Sequence, residues 1–421
     1  MLAFSSECIY HPRIKIKNPD PRRIISMAKN RRRSATRWKM IAVTVVAVFV
    51  VISLVAVFVV RTFIGKIQND TSGFVETIPS EYDVPTESLV HEIPKEPGIT
   101  NILLLGVDNR NSAVASPEER SDSMIILTID EKNKKFKLTS LQRDMMVYFP
   151  GSDNIHKINS ANAEGGPLLA MRVVNDTFRL NIEKYVLVNM IGMEKIVDLV
   201  GGVTVDVSPS EMKALNDELT MINLTFKNTE PAAYLSKTGT QLLNGRQAVT
   251  YARIRQNDDD YHRMSRQREV LQAMFDQFMK ADLATKTKIL NAGLPYVTTN
   301  YKDNEIVQLG MNILPMMNST IDQMQIPTAG DFREYSGTIW MNLCDYNAMI
   351  PKLQTFIFGQ TYPFDKVREI PGAPNSSLVL PSSYERKILE TAKPDESVDP
   401  ALTSTGETTA AAATTTKGRA A

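Results

Sequence analysis

The sequence predicts an α/β domain held outside a membrane by one N-terminal transmembrane helix. Three observations predict it. Beyond residue 100, short apolar runs that end in an acid alternate with stretches of helical spacing, as strands and helices layered on one sheet do. Residues 40–60 carry no charge. The segment before that run is strongly basic, and the segment after it is acidic.

The basic tail is residues 1–39, with eleven Lys or Arg against Glu7 and Asp20. That makes it +9 in a chain whose net charge is +1, so the remainder is −8. Met40–Val60 is 21 residues rich in Val, Ile, Phe and Ala. As a helix it would span about 31 Å, enough for a hydrocarbon core of roughly 30 Å. Arg31, Arg32, Arg33, Arg37 and Lys39 flank it on one side, and Asp70, Glu76, Glu81 and Asp83 follow on the other. Basic flanks stay in the cytoplasm, so the C-terminal side is expected outside it. The run is too long for a cleaved signal peptide and no small-residue site follows it, so it reads as a signal anchor. The two cysteines, Cys8 and Cys344, fall on opposite sides of this anchor, which excludes a disulfide framework. An outward domain without disulfides points to a bacterium, most simply a Gram-positive one.

Residues 61–97 hold Pro, Ser, Thr and acids and read as a linker. The domain follows at 98–360. Asn101–Asp108, Met124–Asp130 and Lys134–Leu141 read as strands, then Gly166–Phe178 as a helix and Tyr185–Met190 as a strand. Met193–Val200 reads as a helix closed by Gly201-Gly202, and Val203–Val207 as a strand. Asn244–Ala252 and Tyr261–Lys280 have helical character. The segment 281–360 has no clear period. Residues 361–390 read as a C-terminal extension. Residues 391–421, with Thr and Ala at 16 of 31 positions, read as a disordered tail. The composition, 43% hydrophobic and 23% charged, is that of a globular chain.

The chemistry is carried by arginine. Five arginines, from Arg253 to Arg268, fall within 16 residues and are split by Asp258, Asp259 and Asp260. On a helix from Tyr261, Arg263, Arg266 and Gln267 share one face, and that face continues into Val270 and Met274. The stripe therefore points inward, where guanidinium groups need anions. The helix N-terminus adds to the attraction, and an extended stretch before it would put Arg253 and Arg255 on one face. Arginine's planar fork suits phosphate or pyrophosphate. The competing reading is an exposed basic patch paired with the three aspartates.

A second cluster gathers at strand ends. Asp108 closes the first strand, Arg120-Ser121-Asp122 precedes the second, and Arg143-Asp144 closes the third. Strand ends of an open α/β sheet are its usual ligand site. Asp108 and Asp122 there could hold Mg²⁺ (or Mn²⁺) beside substrate phosphates. Each aspartate taken alone reads better as a cap or turn residue, and it is the combination that points to a site. Lys157 and Asn159 would add polar contacts or else stabilise a loop. No P-loop, GxSxG, HExxH or GxGxxG occurs, and four scattered histidines argue against zinc.

At these residues the chain resembles the LytR–CpsA–Psr family of cell-wall phosphotransferases. The matching pieces, in the family's order, are NILLLGVD (101–108), RSD (120–122), Arg143-Asp144, KIN (157–159), Gly165-Gly166, VDLVGGV (197–203), LNGRQAVTYARIR (243–255) and DYHRMSRQ (260–267). The resemblance implies a mixed central sheet flanked by helices, an apolar pocket for a polyprenyl chain and a Mg²⁺ cofactor. It implies transfer of a glycopolymer (teichoic acid, capsule or another wall polymer) from a polyprenyl pyrophosphate carrier to peptidoglycan. It also implies that Asp108 and Asp122 lie on the metal side, while Arg120, Arg143, Arg253, Arg255, Arg263 and Gln267 hold the pyrophosphate. Asp260 occupies a family acidic position with its role open, and Gln142 stands where the family usually has Pro. Asp144 is a candidate general base from its place beside Arg143. A hydrolase using water in place of the sugar, or a non-catalytic binder of wall polymer, would use the same residues. Nucleic acid is not an expected partner, because anchoring explains the basic tail and the arginine cluster lies across the membrane from DNA.

Overall fold

The computed structural model describes residues 68–69, 78–83, 91–108, 119–225, 231, 233–255, 260–316, 319–336 and 340–378. The predicted transmembrane helix at 40–60, the basic tail and the Thr/Ala-rich tail lie outside these residues. None of the described helices is long and apolar enough to cross a membrane.

The architecture is mixed α/β. The main sheet has seven strands in the order β1 (Gln68–Asn69), β10 (Thr298–Thr299), β7 (Lys184–Asn189), β2 (Ile99–Val107), β3 (Ser121–Asp130), β4 (Lys135–Leu141), β11 (Ile321–Ile326). β2, β3 and β4 are antiparallel neighbours. β7 runs parallel to β2, and β11 parallel to β4. The C-terminal ends of β2, β4, β7 and β11 and the start of β3 therefore share one edge of the sheet. Three hairpins stand apart: β5 (Met146–Tyr148) with β6 (Ile155–Lys157), β8 (Val203–Val207) with β9 (Gly239–Leu243), and β12 (Phe332–Ser336) with β13 (Trp340–Cys344).

Both faces of the central strands are covered, which explains why β2 and β3 read as apolar runs and not as alternating patterns. Leu103, Leu105, Ile126 and Leu141 pack on one face against α1 (Ser160–Phe178) and α8 (Tyr346–Phe358). Ile102, Ile129 and Phe136 point the other way, toward Phe275 of α5 (Asp260–Lys280) and toward Leu309 and Ile313 of α7 (Asp303–Ile313). A third core joins β8 and β9 to α2 (Met190–Leu199), α3 (Pro209–Thr225), α4 (Gly245–Tyr251) and Val270 of α5. A further helix, α6 (Leu283–Gly293), follows α5.

Three boundaries move. The predicted helix at Gly166–Phe178 begins earlier, at Ser160, but breaks at Gly165-Gly166, where Gly166 takes φ 68°. A side chain at Gly165 would also meet Leu169 and Pro79 at under 3.0 Å. Parts of the region read as a linker pack on the domain instead. Gln68–Asn69 pairs with β10, Pro79 sits against Gly165, and Tyr82 donates to Glu164 at 2.9 Å and meets the Phe149 ring edge-on. At the other end, Ile370 and Ala373 join the main core, so packing continues past residue 360.

Candidate functional site

The shared sheet edge collects charge because of how its strands end. β2 delivers Asp108, with a register shift between Gly106 and Val107. β3 presents Asp122 directly after its first residue, and Arg120, partly buried, precedes it. β4 runs out into Gln142, Arg143 and Asp144. Asn159 ties these ends together: its N–H donates to Arg143 O at 3.3 Å, and its carbonyl accepts from Ser121 N at 3.3 Å. The first turns of α5 close over the edge, and Ser123 Oγ donates to Gln267 Oε1 at 3.1 Å.

Arg143 is the hub. Its Nη1 pairs with Asp122, and its Nε lies 3.3 Å from Asp144 Oδ2. Lys157 Nζ takes the other Asp144 oxygen at 2.6 Å. Arg255 Nη2 approaches Asp122 Oδ2 at 3.7 Å, and Arg253 Nη2 holds Asp108 Oδ2 at 2.8 Å. Arg263 Nη2 binds Asp260 Oδ1 at 2.5 Å, one helical turn back. The inward reading of the α5 stripe holds, since Arg263 and Arg266 are each only 4% exposed. Their directions differ, however. Arg266 turns from the sheet edge to Glu211 (3.4 Å) and the Ile254 carbonyl (2.8 Å), bracing α5 against α3 and the end of α4.

The electrostatics show what is missing. Burial opposes ionisation of Asp122, but Arg143, Arg255 and Arg263 outweigh it and hold the carboxyl below its usual range. Burial likewise works against the Arg143 charge, yet Asp122 and Asp144 keep it more firmly protonated than usual. Arg263 goes the other way. Burial presses its pKa down to about 10; Asp260 opposes the fall, while repulsion from Arg143 and Arg255 adds to it. Asp260 is raised, mainly by burial, with Asp144 adding to the effect. Arg263 Nε and Asp260 Oδ2 are both buried without a hydrogen-bond partner. A buried guanidinium crowded by two others, with a donor left over, is suited to an anion.

Two residues that sequence reasoning passed over belong in this picture. Glu119 precedes Arg120, and burial lifts its carboxyl to about 7, with the charge of Asp108 adding to the rise. Its Oε2 is buried and unpartnered. Only its place in a Pro-Glu-Glu loop was visible in the sequence. Arg268, 7% exposed, pins α5 to the sheet through Ser140 (2.9 Å), Gln323 (3.0 Å) and Gln325 (3.3 Å). Its partners lie 55 or more residues away, beyond any local pattern.

Among the described residues, no group of three or more His, Cys, Asp or Glu could hold a metal unaided. Asp122 faces two guanidiniums and Asp108 one, that of Arg253, and the Asp108 charge also acts on the Glu119 carboxyl, whose Oε2 has no partner. Two mutually repelling carboxylates fit a hard cation such as Mg²⁺, which takes one or two carboxylates and completes its shell with water and phosphate oxygens.

Residues 63–353 match the model of the LytR_cpsA_psr family. Biofilm regulatory protein A of Streptococcus mutans is 35% identical over 238 residues, covering 53% of this chain and 54% of that protein. The polyisoprenyl-teichoic acid–peptidoglycan teichoic acid transferase TagU of Oceanobacillus iheyensis is 33% identical over 232 residues, covering 52% of this chain and 65% of its own. The chain thus spans between half and two thirds of the length of these curated relatives. Among solved structures, protein gbs0355 of Streptococcus agalactiae superposes with TM-score 0.51 at 26% identity, covering 70% of this chain and 96% of its own.

Proposed function

Because the chain belongs to the LytR–CpsA–Psr family, we propose that it transfers a glycopolymer from a polyprenyl pyrophosphate carrier to peptidoglycan on the outer face of the membrane. One observation carries the reading: the partly buried Arg143 and the exposed Arg255 act on the buried Arg263, which keeps a donor without an acceptor. The polymer and acceptor come from the name of the TagU relative, which is a teichoic acid transferase acting between a polyisoprenyl carrier and peptidoglycan.

In this reading a sugar hydroxyl attacks the phosphorus that carries the polymer. A new P–O bond forms, the bond to the bridging oxygen breaks, and polyprenyl phosphate leaves with the electron pair. Arg143, Arg255 and Arg263 bind the phosphate oxygens and stabilise the charge that develops on them. Arg253 keeps Asp108 in place at the edge of that cluster. Both oxygens of Asp144 are taken by Arg143 and Lys157, so Asp144 orients Arg143 and is a poor base. Asp260, with a raised pKa and an unpartnered oxygen, is better suited to take the hydroxyl proton. Asp108 with Glu119 would hold Mg²⁺ or Mn²⁺. A bound divalent cation would supply charge neutralisation to the pyrophosphate.

The test uses the full chain in detergent with a polyprenyl pyrophosphate-linked saccharide. Polyprenyl phosphate should be released in step with a peptidoglycan-linked product, and Arg143→Ala and Arg263→Ala should each lose both. Release without the linked product would make the protein a hydrolase. Wild-type rates in either variant would sink the proposal.

A further inference from the structure

Beside the arginine cluster lies a cleft of about 570 Å³ that opens to solvent. Such a volume is within the range of about 300–1,000 Å³ typical of small-ligand sites. Tyr261 and Phe332 line it, their ring centroids 5.8 Å apart and tilted by 48°. Its polar groups are Gln325, whose Oε1 accepts from Arg268 at 3.3 Å, Thr328, whose Oγ1 donates to Asp331, and the Pro327 carbonyl; Met324 and Ala329 complete the lining. No lining residue is charged.

Its walls continue those of the site. Tyr261 follows Asp260 in the first turn of α5, two residues before Arg263. The opposite wall is the end of β11, where the Ile326 carbonyl accepts from Gln142 N at 2.9 Å, directly before Arg143. Tyr261 Oη also reaches the Pro327 carbonyl at 3.4 Å, so the aromatic wall is tied to the polar one. An occupant of this cleft would lie against the helix turn that carries Asp260 and Arg263 and the strand end that is bonded to the residue before Arg143.

We propose that this cleft binds the acceptor saccharide, with Tyr261 and Phe332 as its stacking platform. The inference rests on the transferase reading given above and adds to it the place where the attacking sugar lies. The chemistry favours a sugar over both other candidates. A phosphate would need cations, and the lining has none. A polyprenyl chain would offer no hydrogen bond to the capacity that Gln325 and Thr328 have left beyond Arg268 and Asp331, which a sugar hydroxyl can meet. A pyranose satisfies both halves. Its C–H face carries partial positive charge and meets the negative face of an aromatic ring, while its hydroxyls reach the polar side.

The test is calorimetric titration of the full chain in detergent with a peptidoglycan-derived N-acetylglucosamine–N-acetylmuramic acid disaccharide. Tyr261→Ala and Phe332→Ala should each weaken binding by about fivefold to tenfold, and Tyr261→Phe should stay within about twofold of wild type. Thermal midpoints and stabilisation by inorganic pyrophosphate, measured on the same samples, identify variants that are folded with an intact arginine cluster. No disaccharide binding by the wild type would overturn the proposal, as would unchanged binding in folded Tyr261→Ala. Weaker binding of the lipid-linked donor, with disaccharide binding untouched, would assign the cleft to the polyprenyl chain and overturn it too. Ring-dependent disaccharide binding in a protein that transfers nothing would leave this site standing and remove the transferase reading. Transfer that ignores both rings would do the reverse.

Discussion

Replacing Arg263 by Met removes one side of a buried ion pair and keeps most of the side chain's volume. The Arg263 side chain is 4% exposed and that of Asp260 10%. Taking one partner from such a pair costs about 3–5 kcal/mol, because the other charge stays buried alone. Two features pull the value to the low end. Asp260 already has a raised pKa, so taking up a proton is an accessible escape. Removing Arg263 also relieves its repulsion with Arg143 and Arg255. A loss of about 3 kcal/mol is expected. With a urea slope of about 3 kcal/mol/M, the midpoint falls by about 1 M. Pairing the change with Asp260→Asn leaves two neutral groups, and the double variant should recover about 2 kcal/mol of the loss. Urea unfolding of the four proteins in detergent measures the cycle. A midpoint for Arg263→Met within about 0.2 M of wild type would refute the reasoning. A double variant no more stable than the single one would refute it equally.

Asp122 supplies a pH signature. Its folded carboxyl lies below the usual value, so its stabilisation is full above about pH 4 and is lost as pH falls through the folded value. Asp122→Asn should therefore flatten the acid limb of a stability–pH curve below about pH 4, and an unchanged limb would contradict that. Glu119→Gln should weaken Mn²⁺ binding, read by electron paramagnetic resonance, by about tenfold or more, with unchanged affinity refuting a role in holding the cation. Gly245→Ala should cost about 3 kcal/mol or prevent folding, because its Cβ would lie 2.0 Å from the Glu194 carbonyl oxygen. Cys344 is buried and its thiol pKa is pushed up by burial, so iodoacetamide at pH 8 should label it only after denaturation.

Much of the central fold was legible because its residues obey one rule at a time. β2 and β3 are apolar on both faces and run into acids, β4 alternates, and α4 carries an Asn244 cap with a Gln247 return. The stretch from 281 to 360 was not legible, for a physical reason. β11 reads Ile-Asp-Gln-Met-Gln-Ile, a polar string, because Gln323 and Gln325 spend their side chains on buried Arg268. α3 and β9 went unread for a similar reason. β9 exposes Thr240 and Leu242 and buries Gln241, so neither apolar alternation nor a run survives.

The site was legible as a list of charges and not as a geometry. Sequence order placed Asp108, Asp122 and Arg143 together because strand ends meet at one edge, and the family resemblance joined Arg263 to them. It could not show that Asp122 pairs with Arg143, or that both Asp144 oxygens are occupied. Spacing alone grouped Arg266 with Arg263, yet a one-turn rise and a different rotation send Arg266 to Glu211. Glu119 carries no motif signal, and only its burial beside Asp108 brings it forward.

The central claim is that the arginine-lined edge moves a pyrophosphate-linked saccharide onto a wall acceptor. The most direct measurement supplies the full chain with a polyprenyl pyrophosphate carrying a radiolabelled saccharide, together with soluble peptidoglycan fragments. Label should pass to the fragments with wild-type protein and fall to background with Arg143→Ala. Label that stays on the lipid with wild-type protein, or that reaches the fragments equally well with Arg143→Ala, would contradict the account.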